Sequence, residues 1–164
     1  MEPGAATNNR IRWHYTIGHR LKKILEDGEI RPATAGEPKG EKPAVWFSIH
    51  DDWEPTANKF TVGFDGKPVV LTREQTENGG GGLCRIGVAK EMAPHNWEAH
   101  KRLSGITAKE ARRIYQKAIA QGTRPGHWFT TYSAVPRSQW LAVEVCDSSR
   151  WVPLTEGWLE QKAK

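Results

Sequence analysis

The clearest pattern near the start of the chain is an alternation. Between Arg10 and Thr16, Ile11, Trp13 and Tyr15 fall on one side and Arg10, Arg12, His14 and Thr16 on the other, the period-two signature of a half-buried strand. The strand therefore carries a basic face that holds a histidine. The period then changes: Ile17, Leu21, Ile24 and Leu25 share one helical stripe, Lys22 and Lys23 lie toward its outer side, and Gly28 stands where a left-handed cap is cheapest. Strand, helix and turn form one unit.

Downstream, residues 29–32 predict a short extended piece, and the Gly-, Pro- and charge-rich stretch 33–43 an exposed loop. The apolar run 44–48 (AVWFS) predicts a central strand, and Pro55 suits the first turn of a short helix after it. Residues 60–64 and 67–72 predict two strands joined at Asp65-Gly66, and 83–88 another. The four consecutive glycines Gly79 to Gly82 precede that strand. A phosphate loop needs a GK[ST] ending and a following helix, so this run reads as a floppy connection. Helices are predicted over 96–103 and 107–122, the second opened by a Thr107/Glu110 capping box and closed at Gly122. Residues 128–132, 139–146 and 150–154 complete the strands, and no internal repeat is present. The result is a mixed α+β pattern, with a flexible tail at 1–9 and a single domain over 10–160.

Composition adds limits. A chain of 164 residues, 37% hydrophobic and 26% charged, is long enough to bury a core without disulfide or metal staples. Eight Trp against three Tyr and four Phe is a surplus of side chains that need burial with the indole N–H satisfied, or a ligand to stack on. The net charge of +5 favours contact with phosphates, although much of it is scattered over helix faces where it keeps a surface solvated. Cys84 and Cys146 are lone cysteines, which suggests neither a zinc knuckle nor a disulfide framework and fits a reduced, cytoplasmic setting. With no apolar run of about 20 residues, neither a membrane span nor a secretion signal is expected. The six histidines lack a metal motif; His95 and His100, five apart, fall on different faces of a helix. There is no GxSxG elbow, and Cys84 sits in an apolar strand that raises its pKa.

What distinguishes His14 is its company. The strand ending His14-Tyr15-Thr16 leads into a helix closing Glu-Asp-Gly-Glu-Ile, and a second central strand then carries Trp46-Phe47-Ser48 toward a short helix with Thr56-Ala57. In order and spacing this resembles the ADP-ribosyltransferase-like fold shared by poly-ADP-ribose polymerases, RNA 2′-phosphotransferases and DNA-modifying bacterial relatives. The resemblance covers residues 10 to 60, and the C-terminal strands by position. It implies a split sheet, two small sheets around a central cleft, with peripheral helices. It also implies that His14 bonds the 2′-hydroxyl of the nicotinamide ribose, that backbone groups around Tyr15 hold the carboxamide, that Trp46 stacks on nicotinamide, and that Thr56 lines its pocket. Tyr15, Thr16, Phe47 and Ser48 complete the implied NAD-binding set. The implied chemistry has a π face for a cationic ring and a cation-like transition state governed by positioning and electrostatics.

The family's third element is a carboxylate at the start of a late strand. By position Gln139 matches it, and an amide cannot ionise; the nearest carboxylate on that strand is Glu144. Either Glu144 is the acid or the site binds without ordinary transfer. The 2′-phosphotransferases rely on basic side chains instead, for which Arg10, Arg12 and Arg85 are the counterparts. Trp53, Trp97, Trp128, Trp140 and Trp151 supply core or a stacking surface. The resulting expectation is an NAD-binding ADP-ribosyltransferase-like enzyme acting on nucleic acid or protein, or a related 2′-phosphate reaction, with NAD as substrate and no metal. The alternative is a noncatalytic nucleotide- or nucleic-acid-binding module with a Trp-lined pocket. A third reading makes the His14 region simple core in an interaction domain.

Overall fold

A computed structural model describes residues 10–34 and 40–162. The tail expected at 1–9 and the middle of the loop expected at 33–43 lie outside the described residues. The alternating stretch forms β1 (Ile11–Ile17), and the stripe after it forms α1 (Gly18–Asp27), capped by Gly28 at φ 71° with its N–H on the Ile24 carbonyl. β2 (Glu29–Ile30) and β3 (Val45–Ser48) follow, then a 3-10 turn at Pro55–Ala57 and the hairpin β4 (Phe60–Val62) and β5 (Pro68–Val70). Next come α2 (Arg73–Gly80), β6 (Leu83–Ala89), β7 (His95–Asn96), α3 (Trp97–Leu103) and α4 (Ala108–Ala120). The chain closes with β8 (Trp128–Thr131), β9 (Val135–Pro136), β10 (Trp140–Asp147), β11 (Arg150–Pro153) and α5 (Glu156–Lys162).

Seven strands join in the order β11-β10-β6-β1-β3-β8-β7, each pair antiparallel, while β2–β9 and β4–β5 stand as separate pairs. The class is mixed α+β. In place of two small sheets there is one, but its continuity is uneven. β1 pairs with β6 along its whole length, from Ile11↔Ala89 to Ile17↔Leu83, yet meets β3 at the single registered pair Trp13↔Ser48. The sheet parts beyond that pair.

A half-buried β1 was expected, and its central place changes that. Arg12 and Thr16 on the polar side are as buried as Trp13 and Tyr15 on the apolar side. Arg12 lays its guanidinium 3.5 Å from the centre of the Phe129 ring, a cation–π contact that serves a charge inside a core. One core cluster packs Leu21, Ile24 and Leu25 of α1 with Phe47, Ile86 and Val88; another gathers Trp13, Tyr15, Trp53, Leu83 and Cys146.

The glycine run is not a floppy connection. Gly79 and Gly80 close α2, Gly81 caps it at φ 76°, and the Gly82 carbonyl accepts the Gly18 N–H at 3.0 Å. A Cβ on Gly18 would lie 2.1 Å from the Gly81 carbonyl oxygen, so glycine permits a close backbone approach here. α2 itself has a complete Thr72/Gln75 capping box. The box expected at α4 is half made: Thr107 accepts from the Glu110 N–H, but the Glu110 carboxylate turns to Arg113. α4 stops at Ala120, short of Gly122. Among the described residues no helix is long and apolar enough to cross a membrane.

Candidate functional site

Where β1 and β3 part, a cavity of about 410 Å³ opens. His14 and Tyr15 from β1, Trp46, Phe47 and Ser48 from β3, and Thr56 from the 3-10 turn all line it. Trp13, Trp128, Glu41, Glu54, and Glu110, Arg113 and Ile114 of α4 complete much of the wall. Thr16 is buried on β1 and does not line it.

The opening of the sheet explains His14. With no registered pair on its β3 side, its ring reaches across the gap and Nδ1 lies 2.9 Å from the Trp46 carbonyl. A carbonyl oxygen only accepts, so the proton is on Nδ1, and the neutral ring keeps an acceptor lone pair on Nε2. Burial holds the His14 pKa below the usual imidazole range; Lys59 and Arg20 push the same way, against the opposing pull of the Trp46 carbonyl. Trp46 meets Trp128 edge-on at 5.8 Å and His100 at 4.6 Å, which fixes the plane of its indole.

The loop between β3 and the 3-10 turn is clamped through successive carbonyls. Tyr15 Oη donates to the His50 carbonyl, Arg85 Nη1 to that of Asp51, and Trp151 Nε1 to that of Asp52 at 2.8 Å. Trp53 Nε1 donates to Asn58 Oδ1 at 2.9 Å and Trp140 Nε1 to the Val135 carbonyl at 3.1 Å. Much of the tryptophan surplus thus fixes chain segments through satisfied N–H groups. Burial pushes the Tyr15 phenol above its usual range.

This loop delivers Glu54, only 6% exposed, to the cavity. As the residue that caps the 3-10 turn, it accepts from Thr56 Oγ1 at 2.7 Å and from the Thr56 N–H. Trp128 Nε1 donates to the same oxygen at 3.0 Å. The other oxygen accepts from Ser48 Oγ at 2.7 Å and Thr123 Oγ1 at 3.5 Å, with His50 Nε2 also at 3.5 Å. His50 in turn contacts Thr123 Oγ1 and His127 Nδ1, each at 3.0 Å.

Glu144 and Gln139 lie elsewhere. Cross-strand register sets Glu144 opposite Arg85, whose Nε and Nη2 reach its Oε1 at 2.8 and 2.7 Å. Arg85 is itself stacked between Trp13 and Trp151, at 3.8 and 4.5 Å from their ring centres. Glu144 is therefore a counter-ion behind the loop, and it does not line the cavity. Gln139 is exposed in a 3-10 turn at Arg137–Gln139, before the strand expected to contain it. Arg12 and Arg85 are built into the core, and Arg10 is exposed at the edge of β1.

Sequence reasoning passed over Glu54. A carboxylate directly before Pro55, at the start of a short helix, was the available signal. Among the described residues no group of three or more His, Cys, Asp or Glu is placed to hold a metal ion. Burial pushes the Cys84 thiol up to about 12, which leaves no thiolate at neutral pH. No protein-family model, curated protein or solved structure matches the chain.

Proposed function

We propose that the chain is an ADP-ribosyltransferase-like protein that binds NAD in the β1–β3 cavity and acts on the bond between nicotinamide and ribose. The observation that carries this reading is the convergence of His14, Trp46 and Thr56, from three separate elements, on one cavity. A volume of about 410 Å³ suits a small-molecule group. His14 Nε2, held as an acceptor, takes a ribose hydroxyl. The Trp46 ring offers a π face to a cationic pyridinium. Ser48 and Thr56 both give their hydroxyl protons to Glu54, so their free lone pairs suit a donor such as the carboxamide NH₂. The acceptor is a nucleic acid or a protein, with the net charge of +5 favouring a phosphate-bearing one.

Titrating NAD against the intrinsic tryptophan fluorescence tests the reading. The signal should saturate below millimolar NAD, and His14→Ala should weaken binding by about tenfold or more, the loss of one buried hydrogen bond. An unchanged spectrum at millimolar NAD would overturn it. The placement of Gln139 and Glu144 outside the cavity favours a second reading, a noncatalytic nucleotide- or nucleic-acid-binding module. Its signature is saturable NAD binding with no release of nicotinamide.

A further inference from the structure

Each of the cavity's three carboxylates has a basic side chain within 4.0 Å. Glu110 takes Arg113, its neighbour one helical turn on, with Nε at 3.0 Å. Glu41 Oε1 lies 4.0 Å from His100 Nε2. Glu54 differs. Ser48, Thr56, Thr123, Trp128 and a backbone N–H hold it through neutral donors, and the His50 imidazole lies 3.5 Å from it.

We propose that Glu54 is the catalytic carboxylate of this cavity: a fixed negative charge that favours a cationic ring and stabilises the positive charge arising on the ribose as that ring leaves. The proposal rests on the NAD reading. Neutral donors stabilise the ionised carboxylate without cancelling its charge. They also fix both of its oxygens, which makes it a preorganised electrostatic partner. The carbonyl clamps on residues 50–52 hold the loop beforehand, so little reorganisation is needed when charge develops. In the step itself the C1′–N bond of NAD breaks and its electron pair leaves with the ring, which becomes neutral nicotinamide. The positive charge passes to the C1′–O4′ unit beside Glu54. Water or another acceptor then forms the new bond to C1′ and releases its proton to solvent.

Two probes separate the charge from the reaction. The wild-type protein should bind the 1-methylnicotinamide cation about tenfold or more tightly than neutral nicotinamide, and Glu54→Gln should abolish that preference. Glu54→Gln should also release nicotinamide from saturating NAD about 100-fold more slowly than the wild type. If Glu54→Gln does not fold, Glu54→Asp replaces it; it withdraws the same charge by one methylene and should slow release by about tenfold. Equal wild-type affinity for the two probes, or a folded Glu54 variant releasing nicotinamide at the wild-type rate, overturns the proposal. Discrimination between the probes without any NAD binding upholds the charge at Glu54 and overturns the NAD reading. NAD binding without discrimination does the reverse.

Discussion

Glu54 and Glu144 are two carboxylates brought indoors by opposite means. Glu144 answers the guanidinium of Arg85, and the pair with its two flanking tryptophans closes on itself. Glu54 is held by hydroxyls, an indole and a backbone amide, and borders open space. The difference is one of spent and unspent charge. An ion pair neutralises its carboxylate and serves architecture, here by steadying the Asp51 carbonyl through the same guanidinium. A carboxylate fixed by neutral donors stays available to a ligand. The ion-paired site thus supports the cavity: Arg85 holds the loop, and the loop holds Glu54.

The sharpest way to break this comparison is to remove Arg85. Arg85→Ala leaves Glu144 without its cation and the tryptophan stack empty, and should cost about 3–5 kcal/mol in chemical denaturation. A loss below about 1 kcal/mol would mean that the pair does not clamp the loop. A pH titration reads the cavity side. Burial, with His95 adding to it, lowers the His100 pKa from 6.5 to about 4. The folded state keeps this ring neutral while the unfolded chain protonates it below 6.5, so its contribution is present above that pH and lost on acidification. Stability should fall by about 2–3 kcal/mol between pH 6.5 and 4, and His100→Gln should flatten that slope. Smaller still, Glu144→Gln keeps the shape and removes the charge, and should cost about 2 kcal/mol. The smallest effect belongs to a single donor on Glu54. Thr123→Val should cost about 1 kcal/mol, because the other donors remain; a cost matching that of Arg85→Ala would erase the distinction between the two sites.

The local patterns were legible in the sequence. The alternation around His14, the stripe of α1 with its Gly28 cap, and the hairpin over Asp65-Gly66 each depend on neighbours close in the chain, and each forms at its expected place. What stayed hidden depends on distant residues. Glu54 is anchored by Thr123 and Trp128, and Glu144 is matched to Arg85 by a register that no single strand discloses. The glycine run misled because flexible chain and close backbone approach share one composition; the partner its carbonyls meet, Gly18 of α1, is distant in the chain. The short helices α2 and α5 went unseen for a related reason: Trp158 of α5 finds its place against Gly18 and Gly82, not within its own periodicity.

The most direct test of the cavity's role is imidazole NMR of ¹⁵N-labelled protein during NAD titration. The account predicts that the His14 Nε2 resonance shifts in step with NAD saturation while Nδ1 remains protonated toward the Trp46 carbonyl, with His95 unmoved. Saturable NAD binding that leaves His14 unchanged would contradict it.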